Sequence, residues 1–127
     1  MTEYDGQALV ERYVAAYNAF DIDGMLALLA RAVRFENHAG GQLTVALDGI
    51  DAFRALAEQS KGLFSEREQR ITRIERTGDT LVAGIAYRGR LAADIPGGPA
   101  AGTVLELNGR SEFGFADGLI VRIVDHS

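Results

Sequence analysis

The last predicted strand of the chain carries the carboxylate that is best placed to do chemistry. Over residues 119–125, strand alternation puts Val121, Ile123 and Asp125 on one face. If that face lines a cavity, Asp125 could accept a proton from a ligand, since carboxyl groups in clefts often serve as acids and bases. The alternative is an ordinary solvated acid at a strand end, paired with Arg88. The sequence leaves both interpretations open.

Hydroxyl and amide side chains offer further polar contacts. Tyr13 and Tyr17 are four residues apart and lie on one face of a predicted helix. Tyrosines at this spacing are commonly core residues whose hydroxyl is hydrogen-bonded. Asn37 and Ser111 could donate hydrogen bonds to a ligand oxygen, or they could satisfy buried backbone groups.

Metal, thiol and phosphate chemistry have little support. The chain has no cysteine, which excludes disulfides and thiol nucleophiles. His38, expected in an exposed turn, and His126 are isolated and lack the spacing of zinc ligands. The glycine-rich residues 97–102 contain Pro99 and precede a strand rather than a helix, so they do not suit a phosphate. We expect neither a metal nor a cofactor.

Composition predicts one soluble globular domain over residues 1–127. Hydrophobic residues make up 47% of the 127 residues and charged residues 24%. A net charge of −5, with Arg interleaved with acids, disfavours nucleic-acid binding, and the charged run 66–70 reads as a solvated face. The polar N-terminus does not resemble a signal peptide and no apolar run suits a membrane span, so a cytoplasmic location without a membrane partner is expected.

Three helices are predicted in the first half of the chain. Apolar residues recur at spacings of three and four over about residues 4–20, as on one helical stripe. Asp21 and Asp23 can cap a short second helix that ends near Ala30. A third helix begins at residues 48–51 and ends at Gly62.

Antiparallel strands account for most of the remainder. Asp117-Gly118 predicts a tight hairpin turn, Asn108-Gly109 suggests a bulge, and residues 92–102 read as an exposed loop. The predicted strands cover residues 33–37, 42–47, 70–76, 80–91, 103–115 and 119–125. Helices followed by consecutive strands make the fold class α+β.

This order resembles the cone-shaped fold of the nuclear transport factor 2-like superfamily, in which a curved, largely antiparallel sheet packs on three helices of the N-terminal half. The superfamily includes ketosteroid isomerases, SnoaL-like polyketide cyclases and limonene epoxide hydrolase. The opening RYVAAYNAFDIDGMLALLA, followed by VRFEN, looks like a ketosteroid isomerase, and SEFGFADGLIVRIVD is similar to the superfamily's closing hairpin. The fold hosts many chemistries, so the resemblance implies a fold more strongly than an activity.

The resemblance to ketosteroid isomerases implies positions for three groups. The oxyanion-holding tyrosine falls on Tyr13, the proton-moving aspartate on Asn37, and the protonated aspartate on Ser111. The usual catalytic carboxylates are therefore replaced by neutral side chains. Because an amide cannot cycle a proton near neutral pH, isomerisation by the usual mechanism is not expected. The cyclase relatives also place an acid at or near Ser111.

Limonene epoxide hydrolase gives a different correspondence. Its Asp-Arg-Asp set falls on Arg90, Arg88 and Asp125, so one of its carboxylates is missing.

These considerations predict a mainly apolar cavity for a small hydrophobic, carbonyl-bearing molecule. The first hypothesis is an isomerase, cyclase or hydratase in which Tyr13 stabilises an oxyanion and Asp125 accepts a proton. The second is a pocket that binds such a ligand without catalysis, and the third is a dimerisation module. Predicted ligand-binding residues are Tyr17, Phe35, Asn37, Phe53, Ile85, Tyr87, Arg88, Ser111, Phe113 and Ile123. Leu26, Leu29, Leu56, Phe115 and Val121 are also expected to line or close the cavity. By resemblance, a homodimer through the outer sheet face is expected.

Overall fold

In the computed structural model, which describes residues 3–127, three helices pack on a six-stranded sheet. The helices are α1 (Glu3–Asn18), α2 (Ile22–Leu26) and α3 (Ile50–Lys61). The helical period buries Val10, Tyr13 and Val14 of α1 against the sheet. Among the described residues, no helix is long and apolar enough to cross a membrane.

The second helix is shorter than the sequence predicted. Asp21 caps it by accepting a hydrogen bond from the Gly24 backbone N–H at 2.9 Å. The helix ends at Leu26 rather than near Ala30, because the backbone beyond it is used by the sheet. Ile120 N–H donates to the Leu28 carbonyl at 2.9 Å, and Leu29 is already paired with Ile120.

The sheet is mixed, open and arranged so that the last strand lies in its interior. Its order is β2-β1-β6-β5-β4-β3, and only the β1–β6 pair is parallel. The strands are β1 (Leu29–Ala39), β2 (Gln42–Asp48), β3 (Phe64–Thr77), β4 (Thr80–Leu91), β5 (Val104–Ala116) and β6 (Leu119–His126). This architecture confirms the predicted α+β fold of a curved, mixed sheet on three helices. The outer-face homodimer stays a prediction.

Strand β3 begins six residues before its predicted start. Glu66, Arg67 and Glu68 belong to the strand and pair with Arg90, Gly89 and Arg88 of β4. The charged run therefore alternates between the two faces of a sheet and is not uniformly solvated. Arg67 is buried, whereas its two acidic neighbours are exposed.

The predicted bulge at Asn108-Gly109 is absent from the β4–β5 pairing. The register there is continuous, with Ala86 opposite Asn108 and Ile85 opposite Gly109. Glycine is needed at position 109 for another reason, since a Cβ atom there would collide with the His126 carbonyl oxygen.

A register shift occurs instead where β5 meets β6, between Gly114 and Phe115, leaving Val121 without a partner. Ile120 and Ile123, on either side of it, are both fully buried, whereas Val121 is half-buried. The predicted alternation therefore does not extend through Val121 and holds only for Ile123 and Asp125.

His38 lies in β1 rather than in an exposed turn. Its ring stacks on His126, with ring centroids 5.0 Å apart and planes inclined by 20°. Each Nε2 also lies within hydrogen-bonding distance of a carboxylate, Glu36 for His38 and Glu112 for His126. These contacts tie the end of β1 to β6 and β5.

Candidate functional site

A cavity of about 300 Å³ lies between the helices and the inner face of the sheet. This volume is at the lower end of the range for small-molecule sites. Every layer of the fold contributes to its wall. The lining includes Tyr13 and Tyr17 from α1, Phe35 and Asn37 from β1, Phe53 and Leu56 from α3, Arg67 and Gln69 from β3, and Asp125 from β6.

A second cavity, of about 410 Å³, adjoins the first toward β4 and β5. Ile85, Tyr87 and Ser111, all predicted ligand-binding residues, line it. Four residues line both cavities and form their shared wall: Tyr17, Asn37, Gln69 and Asp125. Both cavities are partly open to solvent, so a small molecule could reach Asp125 from either side.

Asp125 is the middle member of a row of three polar side chains that crosses adjacent strands. In the sheet register, Asn37 of β1 and Ser111 of β5 are its direct neighbours on either side. Ser111 donates a hydrogen bond from Oγ to Asp125 Oδ1 at 2.6 Å. The Asn37 amide instead donates to Thr44 Oγ1 at 2.8 Å. Asp125 is thus the one acid of this row and is flanked by neutral groups.

The environment of Asp125 favours its protonated form more than water does. Burial raises the pKa of Asp125 from 3.8 to about 6, although the Ser111 hydrogen bond and the His126 charge both act to lower it. A carboxyl group with this pKa is largely deprotonated at pH 7 yet remains basic enough to take a proton. Asp125 can therefore act as a general base near neutral pH.

Replacing Ser111 with Ala is expected to raise the pKa of Asp125 further. The hydroxyl is a hydrogen-bond donor that stabilises the carboxylate, and alanine removes it without adding bulk. The carbon signals of the Asp125 carboxyl group, followed by NMR against pH, would show an upward shift of the midpoint. A downward or absent shift would mean that Ser111 does not support the charged form.

Asp125→Asn is expected to stabilise the fold at alkaline pH. Folding raises the pKa of Asp125 from 3.8 to about 6. The protonated side chain therefore contributes fully to the free energy of unfolding below pH 3.8, and this contribution is lost as the pH rises through about 6. At pH 8 the charge of the half-buried Asp125 should cost about 2–3 kcal/mol of stability, a cost that asparagine avoids. Urea denaturation at pH 8 and pH 4 would show this gain only at the higher pH. Asp79→Asn, in the exposed β3–β4 turn, is the control and should not change stability at either pH. Equal stability of Asp125→Asn and wild type at pH 8 would contradict a raised pKa of Asp125 in the folded protein.

The buried tyrosines remain hydrogen-bond donors over the physiological pH range. Burial, followed by the charge of Asp125, raises the pKa of Tyr13 well above its usual value. Tyr17, on the shared wall, donates its hydroxyl hydrogen to the Tyr87 hydroxyl oxygen in the wall of the larger cavity at 3.1 Å. Tyr13 is thus suited to hold an oxyanion by hydrogen bonding without giving up its proton.

Arg67 lines the smaller cavity and was not identified from the sequence. Its guanidinium carbon lies 3.7 Å from the centroid of the Tyr17 ring and 4.4 Å from that of Phe20, and its Nε donates to the Tyr17 carbonyl at 3.0 Å. Extending β3 back from Ile71 by strand alternation would have placed Gln69 and Arg67 on the inner face. The alternation was missed because residues 66–70 are mostly charged and were interpreted as a solvated face.

Three predicted ligand-binding residues line neither cavity. Arg88 is exposed and lies 3.6 Å from Glu106, so it neither pairs with Asp125 nor reaches a ligand there. Phe113 and Ile123 are each 1% exposed and fill the core beside the cavities. Leu26 and Leu29 are likewise core residues, and Phe115 packs against that core. These residues shape the site only through packing.

Solved structures with this fold cover nearly the whole chain. A candidate polyketide cyclase from Xanthomonas campestris is 24% identical with a TM-score of 0.85, covering 98% of this chain and 90% of its own. TsrD from Streptomyces laurentii is 25% identical with a TM-score of 0.79, and the match covers 98% of this chain and 89% of TsrD. A candidate polyketide cyclase from Pseudomonas putida is 27% identical with a TM-score of 0.74, and the match covers 94% of this chain and 88% of the cyclase.

The match to a protein family is equally extensive. A search of curated proteins found no match. The SnoaL-like domain family, in contrast, matches residues 10–123, from α1 to the middle of β6. Together with the three helices and the open mixed sheet, this match shows that the chain belongs to the SnoaL-like domain family.

Proposed function

We propose that the protein binds a small, mainly apolar carbonyl compound and moves a proton on the carbon next to the carbonyl. Asp125 is the proton acceptor and Tyr13 is the oxyanion donor. The observation that carries this proposal is the position of Asp125 on the wall shared by two cavities, with the buried phenol of Tyr13 lining the smaller one. The raised pKa of Asp125, about 6, supports the same role.

The chemistry follows from the roles of these two groups. Asp125 takes a proton from the α carbon, and the electrons of that C–H bond move onto the carbonyl oxygen. The Tyr13 hydroxyl donates a hydrogen bond to this oxygen as its negative charge develops. If the enolate is conjugated with a C=C bond, return of the proton from Asp125 to the far carbon of that bond shifts the double bond and isomerises the ligand. Attack of the enolate carbon on a second carbonyl of the same molecule would instead close a ring, and the alkoxide formed would take the proton back from Asp125.

The solved relatives favour this reaction class without selecting one reaction. Those from Xanthomonas and Pseudomonas are candidate polyketide cyclases, and a protein of ketosteroid isomerase-like fold from Catenulispora acidiphila was crystallised with trimethylamine. Isomerases and aldol-type cyclases both begin by removing a proton next to a carbonyl. In this proposal, Asp125 and Tyr13 perform that shared step.

Hydrogen–deuterium exchange tests the shared step without knowledge of the natural product. A panel of small apolar ketones would be incubated with the protein in D2O, and deuterium uptake at the α carbon followed by NMR. Exchange above the buffer rate, dependent on Asp125, would support the proposal. Binding of the ketones without accelerated exchange would contradict it.

The second candidate function is ligand binding without catalysis. It is favoured by one observation: Asn37 and Ser111 are neutral where ketosteroid isomerases carry acids, which leaves Asp125 as the one carboxylate among the described residues that line the smaller cavity. Such a protein would bind ketones without accelerating deuterium exchange at the α carbon, in the wild type and in Asp125→Asn alike.

A further inference from the structure

We infer that the ligand carries a carboxylate group, which Arg67 binds inside the smaller cavity. This inference rests on the proposed site and specifies the class of compound that the site accepts. It begins from the burial of Arg67, whose residue surface is only 6% exposed. Buried arginines are normally paired, because an isolated charge costs several kcal/mol to remove from water.

Protein groups satisfy only part of the Arg67 guanidinium. The Nε hydrogen bond to the Tyr17 carbonyl engages the last turn of α1, and the guanidinium plane lies against aromatic rings. Within residues 3–127, however, Nη1 is buried and has no hydrogen-bond acceptor. Nor does Arg67 take part in any ion pair among these residues. Capping the helix end therefore does not account for the buried charge.

Asp125 does not supply the missing negative charge. Its side-chain hydrogen bond goes to Ser111, and among the described residues it forms no ion pair with Arg67. Arg67 of β3, Asp125 of β6 and Tyr13 of α1 line the same cavity, and Arg67 and Asp125 form no ion pair across it. The cavity thus has a basic part and a separate acidic part.

The shape and charge of this cavity select a monoanion with an apolar body. The planar N–H groups of arginine match the two oxygens of a carboxylate. Arg67 is the one cationic side chain among the described residues that line the cavity, which suits a single negative charge better than a doubly charged phosphate. Phe35, Phe53 and Leu56 offer apolar contacts to the rest of the molecule. A small keto acid would place its carboxylate at Arg67 and its carbonyl near Tyr13.

Binding of a matched pair of compounds tests this inference. The probes are 4-phenylbutanoate and its neutral amide, titrated into the protein while backbone amide signals are followed by NMR. We expect the carboxylate to bind wild-type protein at least about tenfold more tightly, since a charge-assisted bidentate pair is lost in the amide. Added salt should weaken binding of the carboxylate more than that of the amide.

Variants locate the preference at Arg67. Arg67→Met keeps the length and the apolar stem but removes the charge, and it should bind both probes equally. Arg67→Lys should retain part of the preference, since it keeps the charge without the planar fork. Arg88→Met, an exposed arginine outside both linings, is the matched control and should behave as wild type.

Equal binding of the two probes to wild-type protein would overturn the inference even if Arg67→Met failed to fold. If neutral ketones still exchanged deuterium in an Asp125-dependent manner, the proposed function would stand while the carboxylate preference would be rejected. Failure of both probes and all ketones to bind would reject both.

Discussion

Asp125→Asn is expected to lower the rate of α-proton exchange by about 10²–10⁴-fold, the usual contribution of a positioned general base. Asparagine keeps the size of the side chain and can still accept the Ser111 hydrogen bond, so the cavity should stay intact. Binding of a neutral ketone should therefore change little while turnover is lost. Exchange kinetics by NMR, together with ligand titrations, separate these two effects.

The pH dependence of the same reaction gives an independent check on Asp125. The base must be deprotonated, and its pKa is about 6, so the exchange rate should rise with pH through this value and level off above it. Asp48→Asn, an acid whose side chain is 73% exposed and paired with Arg34, should retain the wild-type profile. Unchanged turnover in Asp125→Asn would remove Asp125 from the mechanism.

Phe113→Ala is expected to lower the free energy of unfolding by about 3–5 kcal/mol, as for other fully buried aromatic residues. Phe113 is 1% exposed, and its ring packs edge-on against Tyr13 with centroids 6.0 Å apart. Alanine would leave a cavity in the core and remove the support of the Tyr13 ring. Urea denaturation monitored by circular dichroism measures the loss.

Leu107→Ala is the matched control for Phe113→Ala. Leu107 lies on the neighbouring part of the same strand but is 51% exposed, so its removal should change stability by no more than about 0.5 kcal/mol. If Phe113→Ala instead lost little stability and mainly weakened ligand binding, Phe113 would belong to the cavity wall, as the sequence suggested.

Local patterns were sufficient to predict most of the secondary structure. The apolar stripe of α1 follows the helical period, and the β5–β6 turn occurs at Asp117-Gly118, where both residues have positive φ angles of 53° and 79°. These features depend on neighbours a few residues apart, which the sequence displays directly. Strand alternation made Asp125 a candidate, whereas the role of Tyr13 came from the resemblance to ketosteroid isomerases. Both residues, together with Tyr17, line the smaller cavity.

Strand boundaries were predicted less well because backbone pairing overrides composition. The apolar residues Leu28 and Leu29 suggested a longer second helix, yet their backbone is engaged by β6. The charged segment before Arg70 suggested a solvated approach, yet it pairs along its length with β4. In both places a partner distant in sequence supplies the hydrogen bonds.

The sequence by itself determined the class of fold, the helical face that holds Tyr13 and Tyr17, and the presence of a carboxylate late in the chain. Only the tertiary structure decided that β6 inserts between β1 and β5, which puts Asp125 between Asn37 and Ser111. It also decided which inward-facing side chains meet a cavity, and it buried Arg67. The physical reason is that helical and turn preferences are local, whereas strand order, register and the space between layers depend on contacts between distant segments.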